Sequence, residues 1–132
     1  MPTSGIPEDI KQFIFAHIDS VEQLEVLMLL RQDLTKSYTP TEVANEMRTS
    51  PASATLRLNT LTNQGFVEMN DGSYRFAAGA TGSGELLDRL TEIYRVRRHK
   101  VLELIFSPMK RARNFADAFV VSKSNKSEDS DA

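Results

Sequence analysis

The chain contains no cysteine and only two histidines. Without cysteine there are no disulfides, no thiolate metal ligands and no cysteine nucleophile. His17 and His99 fall in separate helical segments, away from any cluster of Asp or Glu at ligand spacing, so a solvated or hydrogen-bonded histidine suits both better than metal ligation. No stretch of 18 apolar residues occurs, and positions 1–9 hold no basic segment leading into an apolar one. Neither a membrane span nor a secretory signal is expected, and the expected compartment is the cytoplasm. Charge of one sign is scarce too: 16 Lys and Arg against 18 Asp and Glu leave a net charge of −2. Proteins that coat nucleic acid indiscriminately need many unopposed cations, so any contact with nucleic acid must be local.

The 132 residues, 40% of them hydrophobic, suffice for one core and are too few for two ordinary domains. Residues 1–121 are expected to form one domain. Residues 122–132 read as a disordered polar tail, because they hold no apolar side chain large enough to offset the entropy of ordering them. Enzyme chemistry finds little to work with. Residues 79–85 have the glycine spacing of a phosphate-binding loop, but Glu85 occupies the place of its lysine and would repel phosphate. A small-residue linker is the better reading. No serine lies in a nucleophile elbow, and Arg97-Arg98-His99-Lys100 suits a solvated helix face. No catalytic residue, metal site or cofactor is expected.

What the chain does have is a series of marked helix starts. Ile10, Phe13, Ile14 and Ile18 recur at helical spacing behind Pro7-Glu8-Asp9, predicting a helix over about 7–18. Ser20 and Gln23 have capping-box spacing and open a second helix, about 21–34, whose interior is apolar on almost every side and should be central to the core. Thr39-Pro40-Thr41-Glu42 combines a capping threonine, a proline in the first turn and a glutamate three beyond the cap, so a third helix runs over 40–47. Its inward residues are Val43, Ala44 and Met47. Arg48-Thr49 make a turn, Ser50-Pro51 repeat the cap and proline, and a fourth helix runs over 51–64 with Gly65 at its end. Two short helices joined by a tight turn are a helix-turn-helix, residues 39–65.

Beyond Gly65 the pattern becomes strand-like. Phe66-Val67-Glu68-Met69 and Tyr74-Arg75-Phe76 flank Asn70-Asp71-Gly72-Ser73, where Asp-Gly supplies the positive φ angles of a hairpin turn. Residues 66–76 are thus a two-stranded wing. Through the order of these helices, the leucines Leu58 and Leu61, the Gly65-Phe66-Val67 ending and the hairpin, residues 38–76 resemble the winged helix-turn-helix superfamily and, within it, MarR-like transcriptional regulators. The resemblance implies a mainly α, α+β winged-helix fold, binding to double-stranded DNA and a role in transcription regulation. Winged helices also serve as protein-interaction modules, so function does not follow from fold alone.

A long helix is expected over 84–106, with the stripe Leu87, Leu90, Tyr94, Val101 and Leu104 interrupted by Arg97, and a terminal helix over 108–120 with Phe115 and Phe119 on one face. Those seven apolar residues are the candidate homodimer interface, with packing inside the monomer as the alternative. In the fourth helix, Ala54, Leu58 and Leu61 should face inward, leaving Ala52, Leu56, Asn59, Thr60 and Asn63 outward. Asparagine can pair with adenine, and threonine can touch a base edge or a thymine methyl. The candidate DNA-binding set is Arg48, Ser53, Leu56, Arg57, Asn59, Thr60, Asn63 and Arg75, with Lys36 as a further phosphate contact. Glu42, Glu46, Glu68 and Asp71 oppose these cations, and an exposed leucine suits a protein partner as well as a groove. DNA-binding regulator and protein-interaction module both remain open at this point.

Overall fold

The structure is a computed structural model and describes residues 5–77 and 84–107. The expected terminal helix, the polar tail and most of the small-residue linker lie outside the described residues. Among the described residues six helices and one hairpin follow in the order α1 (Glu8–His17), α2 (Val21–Gln32), α3 (Pro40–Met47), α4 (Pro51–Asn63), β1 (Val67–Asn70), β2 (Ser73–Phe76), α5 (Gly84–Val96) and α6 (Arg98–Ile105).

Each predicted cap forms. The Ser20 hydroxyl accepts from the Gln23 amide, and the Gln23 side chain in turn accepts from the amide of Asp19 at 2.7 Å. Thr39 and Glu42 make a complete capping box ahead of Pro40, and Ser50 caps α4 ahead of Pro51. The turn between α3 and α4 closes with Arg48 in the left-handed region at φ 57° and the Thr49 amide donating to the Ala44 carbonyl at 2.9 Å. Gly65, at φ 89°, releases the chain from α4 into the wing at an angle that strains any residue with a Cβ.

The core is built around α2, whose Leu24, Val26, Leu27 and Leu30 are fully buried. Ile10 and Ile14 of α1, Val43 and Ala44 of α3, Ala54, Leu58 and Leu61 of α4, and Phe76 of the wing join them. The hairpin pairs Val67 with Phe76 and Glu68 with Arg75, and both turn residues, Asp71 and Gly72, have positive φ. That is the requirement of the tight two-residue turn that Asp-Gly favours. A third strand is reduced to one residue: Tyr38 and Tyr74 exchange both backbone hydrogen bonds at 2.8 Å, tying the entrance of α3 to the wing.

The expected long helix over 84–106 is two helices, broken at Arg97. Arg97 occupies a core-facing step of the Leu87-Leu90-Tyr94 stripe, and a guanidinium cannot be buried there without a partner. The chain leaves helical geometry at that residue, Arg97 stays exposed, and α6 resumes with Val101 and Ile105 as its buried pair in place of Val101 and Leu104. Leu87, Leu90, Tyr94 and Val101 are interior within the single chain, and Leu104 is half-buried. The stripe is therefore consumed by the monomer's own packing and does not form a free dimer surface; Phe115 and Phe119 lie outside the described residues. Side-chain ties hold α5 in place. The Arg31 guanidinium bonds Asp88 and the Gly84 carbonyl while lying 5.1 Å from the Phe76 ring, and Tyr94 donates to Glu25 at 2.6 Å.

Candidate nucleic-acid interface

The phase of α4 decides which residues it offers to solvent. Ala54, Leu58 and Leu61 have no exposed surface, as the periodicity predicts. On the opposite side Ala52, Leu56, Asn59 and Asn63 form one line of exposed residues, and Leu56 keeps 56% of its surface. Their spacing of four, three and four places them along a single helical stripe. Thr60 beside it is half-buried.

Two glutamines missing from the candidate set fix where this stripe points. Gln23 is 1% exposed, and its amide donates to the His17 carbonyl at 2.8 Å and to the Gln64 side chain at 3.1 Å. Gln64, just past α4, donates to the same carbonyl at 2.8 Å. The end of α4 is thus tied to the turn between α1 and α2. Beside this tie, the His17 ring packs within 5.0 to 5.3 Å of Phe13 and Phe66, and its burial holds the imidazole below the ordinary histidine pKa. The Ser20 cap hinted at Gln23; nothing local announced Gln64.

The other candidates divide sharply. Arg48 is exposed at the turn and makes no ion pair with the described residues. Lys36 is exposed too, 4.6 Å from the Tyr38 ring. Ser53 and Arg57, by contrast, turn inward: both donate to Glu22 of α2, Arg57 through Nε at 2.8 Å. The Ser53 hydroxyl and then the Arg57 guanidinium hold the Glu22 carboxyl below the usual carboxylate range. Arg75 is paired across the hairpin with Glu68 at 2.8 Å. This second pair was legible in advance, because a two-residue turn at 71–72 sets 68 opposite 75. The pairing of Arg57 with a residue 35 positions away had no local signal.

The asparagines also differ. The Asn59 oxygen accepts from the Tyr74 hydroxyl at 3.0 Å, so α4 and the wing are joined through its side chain. Asn63 is exposed and has no partner among the described residues. The Thr60 hydroxyl donates to the Leu56 carbonyl at 3.0 Å and the Thr55 hydroxyl to the Pro51 carbonyl at 2.8 Å. Both threonines spend their hydroxyl hydrogen on their own helix.

Among the described residues no group of three His, Asp or Glu side chains has metal-binding geometry, and no helix is long and apolar enough to cross a membrane. A cleft of about 350 Å3, lined by Met28, Leu29, Met47, Tyr94 and three neighbours, lies between α2 and α5, with Met47 supplied by α3.

Residues 20–76 match the family described as the LexA DNA binding domain. No curated protein matches the chain. Among solved structures, a MarR family protein of Mycobacterium tuberculosis is similar at 17% identity and a TM-score of 0.52, over 85% of this chain and 82% of that one. MepR, a transcription regulator of the Staphylococcus aureus multidrug efflux pump MepA, is similar at 14% identity and a TM-score of 0.50, over 89% and 87%. The S-adenosylmethionine-dependent methyltransferase SibL shares 21% identity at a TM-score of 0.50, but only 32% of its length is covered, against 88% of this chain. The chain has the winged helix-turn-helix fold in a MarR-like arrangement, with a match to the LexA DNA binding domain from residue 20 to residue 76.

Proposed function

We propose that this chain is a DNA-binding transcriptional regulator of the cytoplasm that lays α4 in the major groove of double-stranded DNA. The observation that carries the reading is the exposed stripe Ala52, Leu56, Asn59 and Asn63, set on the second helix of a helix-turn-helix within the segment that matches a DNA binding domain. Of the four candidate cations, Arg48 in the turn before α4 and Lys36 ahead of α3 are the two that make no ion pair with the described residues, and they would contact phosphate. Arg57 and Arg75 are engaged by Glu22 and Glu68, which halves the phosphate contacts that the sequence suggested. A two-fold dimer would present two α4 helices to successive turns of the duplex. With the α5 stripe buried, its contact falls to the exposed Val96 and Phe106 together with the segment that carries Phe115 and Phe119.

Binding of the full chain to genomic DNA fragments at several salt concentrations tests this reading. Phosphate contacts by Arg48 and Lys36 predict a slope of about −2 per subunit for the logarithm of affinity against the logarithm of salt. Light scattering at micromolar concentration is expected to give twice the chain mass, and a monomer mass would remove the dimer. The paired arginines and the apolar Leu56 favour a second reading, a protein-interaction module using the same face. In that case no duplex binds, and Leu56→Asp abolishes capture of a protein partner while the fold survives.

A further inference from the structure

We infer that α4 selects A·T base pairs, chiefly through the C5-methyl groups of thymine, and does not read guanine through arginine or lysine. This rests on the DNA-binding reading above and specifies what the same face recognises. The side-chain chemistry that α4 leaves free decides which base edges it can meet. Guanine is read most often by arginine or lysine, whose donors meet its O6 and N7 acceptors. No lysine occurs in α4, and its one arginine, Arg57, is held by Glu22 on the flank facing α2. The exposed stripe consists instead of the methyl of Ala52, the isobutyl group of Leu56 and two asparagines.

The threonines add to the apolar character. With the Thr55 and Thr60 hydroxyls donating to carbonyls four residues back, neither has a donor left for a base, and each keeps its methyl and an acceptor oxygen. Alanine, leucine and threonine methyls have one complementary feature in the major groove, the thymine methyl, since every other base edge there presents a donor or an acceptor. A leucine set against those polar edges would strip them of water without replacing a hydrogen bond. Asn63 points the same way, with oxygen and nitrogen both free, the pair that adenine N6 and N7 require. Asn59 has its oxygen on Tyr74, so it offers amide hydrogens, which thymine O4, adenine N7 and the guanine acceptors all accept; it does not separate the two pairs.

The test uses the full chain and a random-sequence duplex pool. Selection is expected to enrich half-sites rich in A·T. A selected duplex is then remade with deoxyuridine in place of each thymine, which removes the methyl and leaves the hydrogen-bonding pattern intact. Affinity should fall about four-fold for every methyl buried in the contact. Leu56→Ala should bring much of that difference to zero, and Asn63→Ala should lower discrimination at one A·T pair by at least about five-fold. Both residues are exposed, and circular dichroism confirms that each variant is folded. Enrichment of G·C half-sites, or equal affinity for the thymine and deoxyuridine duplexes, overturns the inference while leaving DNA binding intact. Failure to bind any duplex in the pool overturns the DNA-binding reading itself, and the inference with it.

Discussion

Leu61→Ala is expected to lower stability by about 2–5 kcal/mol, a large part of what a domain of this size possesses. Leu61 has no exposed surface and lies in the core that joins α4 to α2 and the wing, so truncation leaves a cavity that fixed backbones on several sides cannot close. Leu58, on the same face and equally buried, should behave alike. Leu56→Ala should cost less than about 0.5 kcal/mol, because Leu56 is more than half exposed and alanine favours the helix. Urea denaturation of the three variants measures this contrast. If Leu56 proved the most damaging site, the rotation of α4 would be wrong and its outward stripe would not be the recognition surface.

Gln23→Leu is expected to be the most damaging change at a polar position. The leucine fits the volume but removes one acceptor and two donors from a site that water does not reach. The Asp19 amide loses its partner, and so does the Gln64 oxygen, while Gln64 still reaches the His17 carbonyl. A fully buried group left without a hydrogen bond costs roughly 1–3 kcal/mol, and the cost is smaller for the exposed Asp19 and the half-buried Gln64. The two glutamines act as one unit, so a double-mutant cycle with Gln64→Ala should show a coupling of about 0.5–3 kcal/mol. Additive losses would mean that the two do not act together in fixing the end of α4. Because this tie sets the direction of α4, the single variant should also weaken DNA binding at temperatures where it remains folded.

What was legible in the sequence is what neighbouring residues decide. Thr39-Pro40-Thr41-Glu42, Ser50-Pro51 and Asp71-Gly72 carry the reason for their conformation within four positions, and each formed as expected. The inward face of α4 was equally accessible, since a period of 3.6 residues fixes it once the helix start is known. Tertiary partnership was not accessible in this way. Arg57 looks like a phosphate contact until α2 brings Glu22 beside it, and Asn59 looks free until the wing brings Tyr74. The break at Arg97 lies between these cases. The sequence showed a cation within an apolar stripe, but the need to keep it in water outweighed helical continuity, and that balance depends on what packs against α5. Tyr38 escaped notice for a related reason: a strand of one residue has no periodicity to display.

The outward stripe of α4, with the turn before it and the wing tip at its side, is the proposed DNA-binding surface. Amide chemical shifts of the isotope-labelled chain, followed as a selected duplex is added, test it most directly. The account predicts the largest shifts at Arg48, Ala52, Leu56, Asn59 and Asn63, smaller ones at the wing tip Asp71 and Gly72, and little change at Leu87 and Leu90 in the core. Shifts confined to α5 and α6, or none at a duplex concentration that saturates binding by other measures, would contradict it.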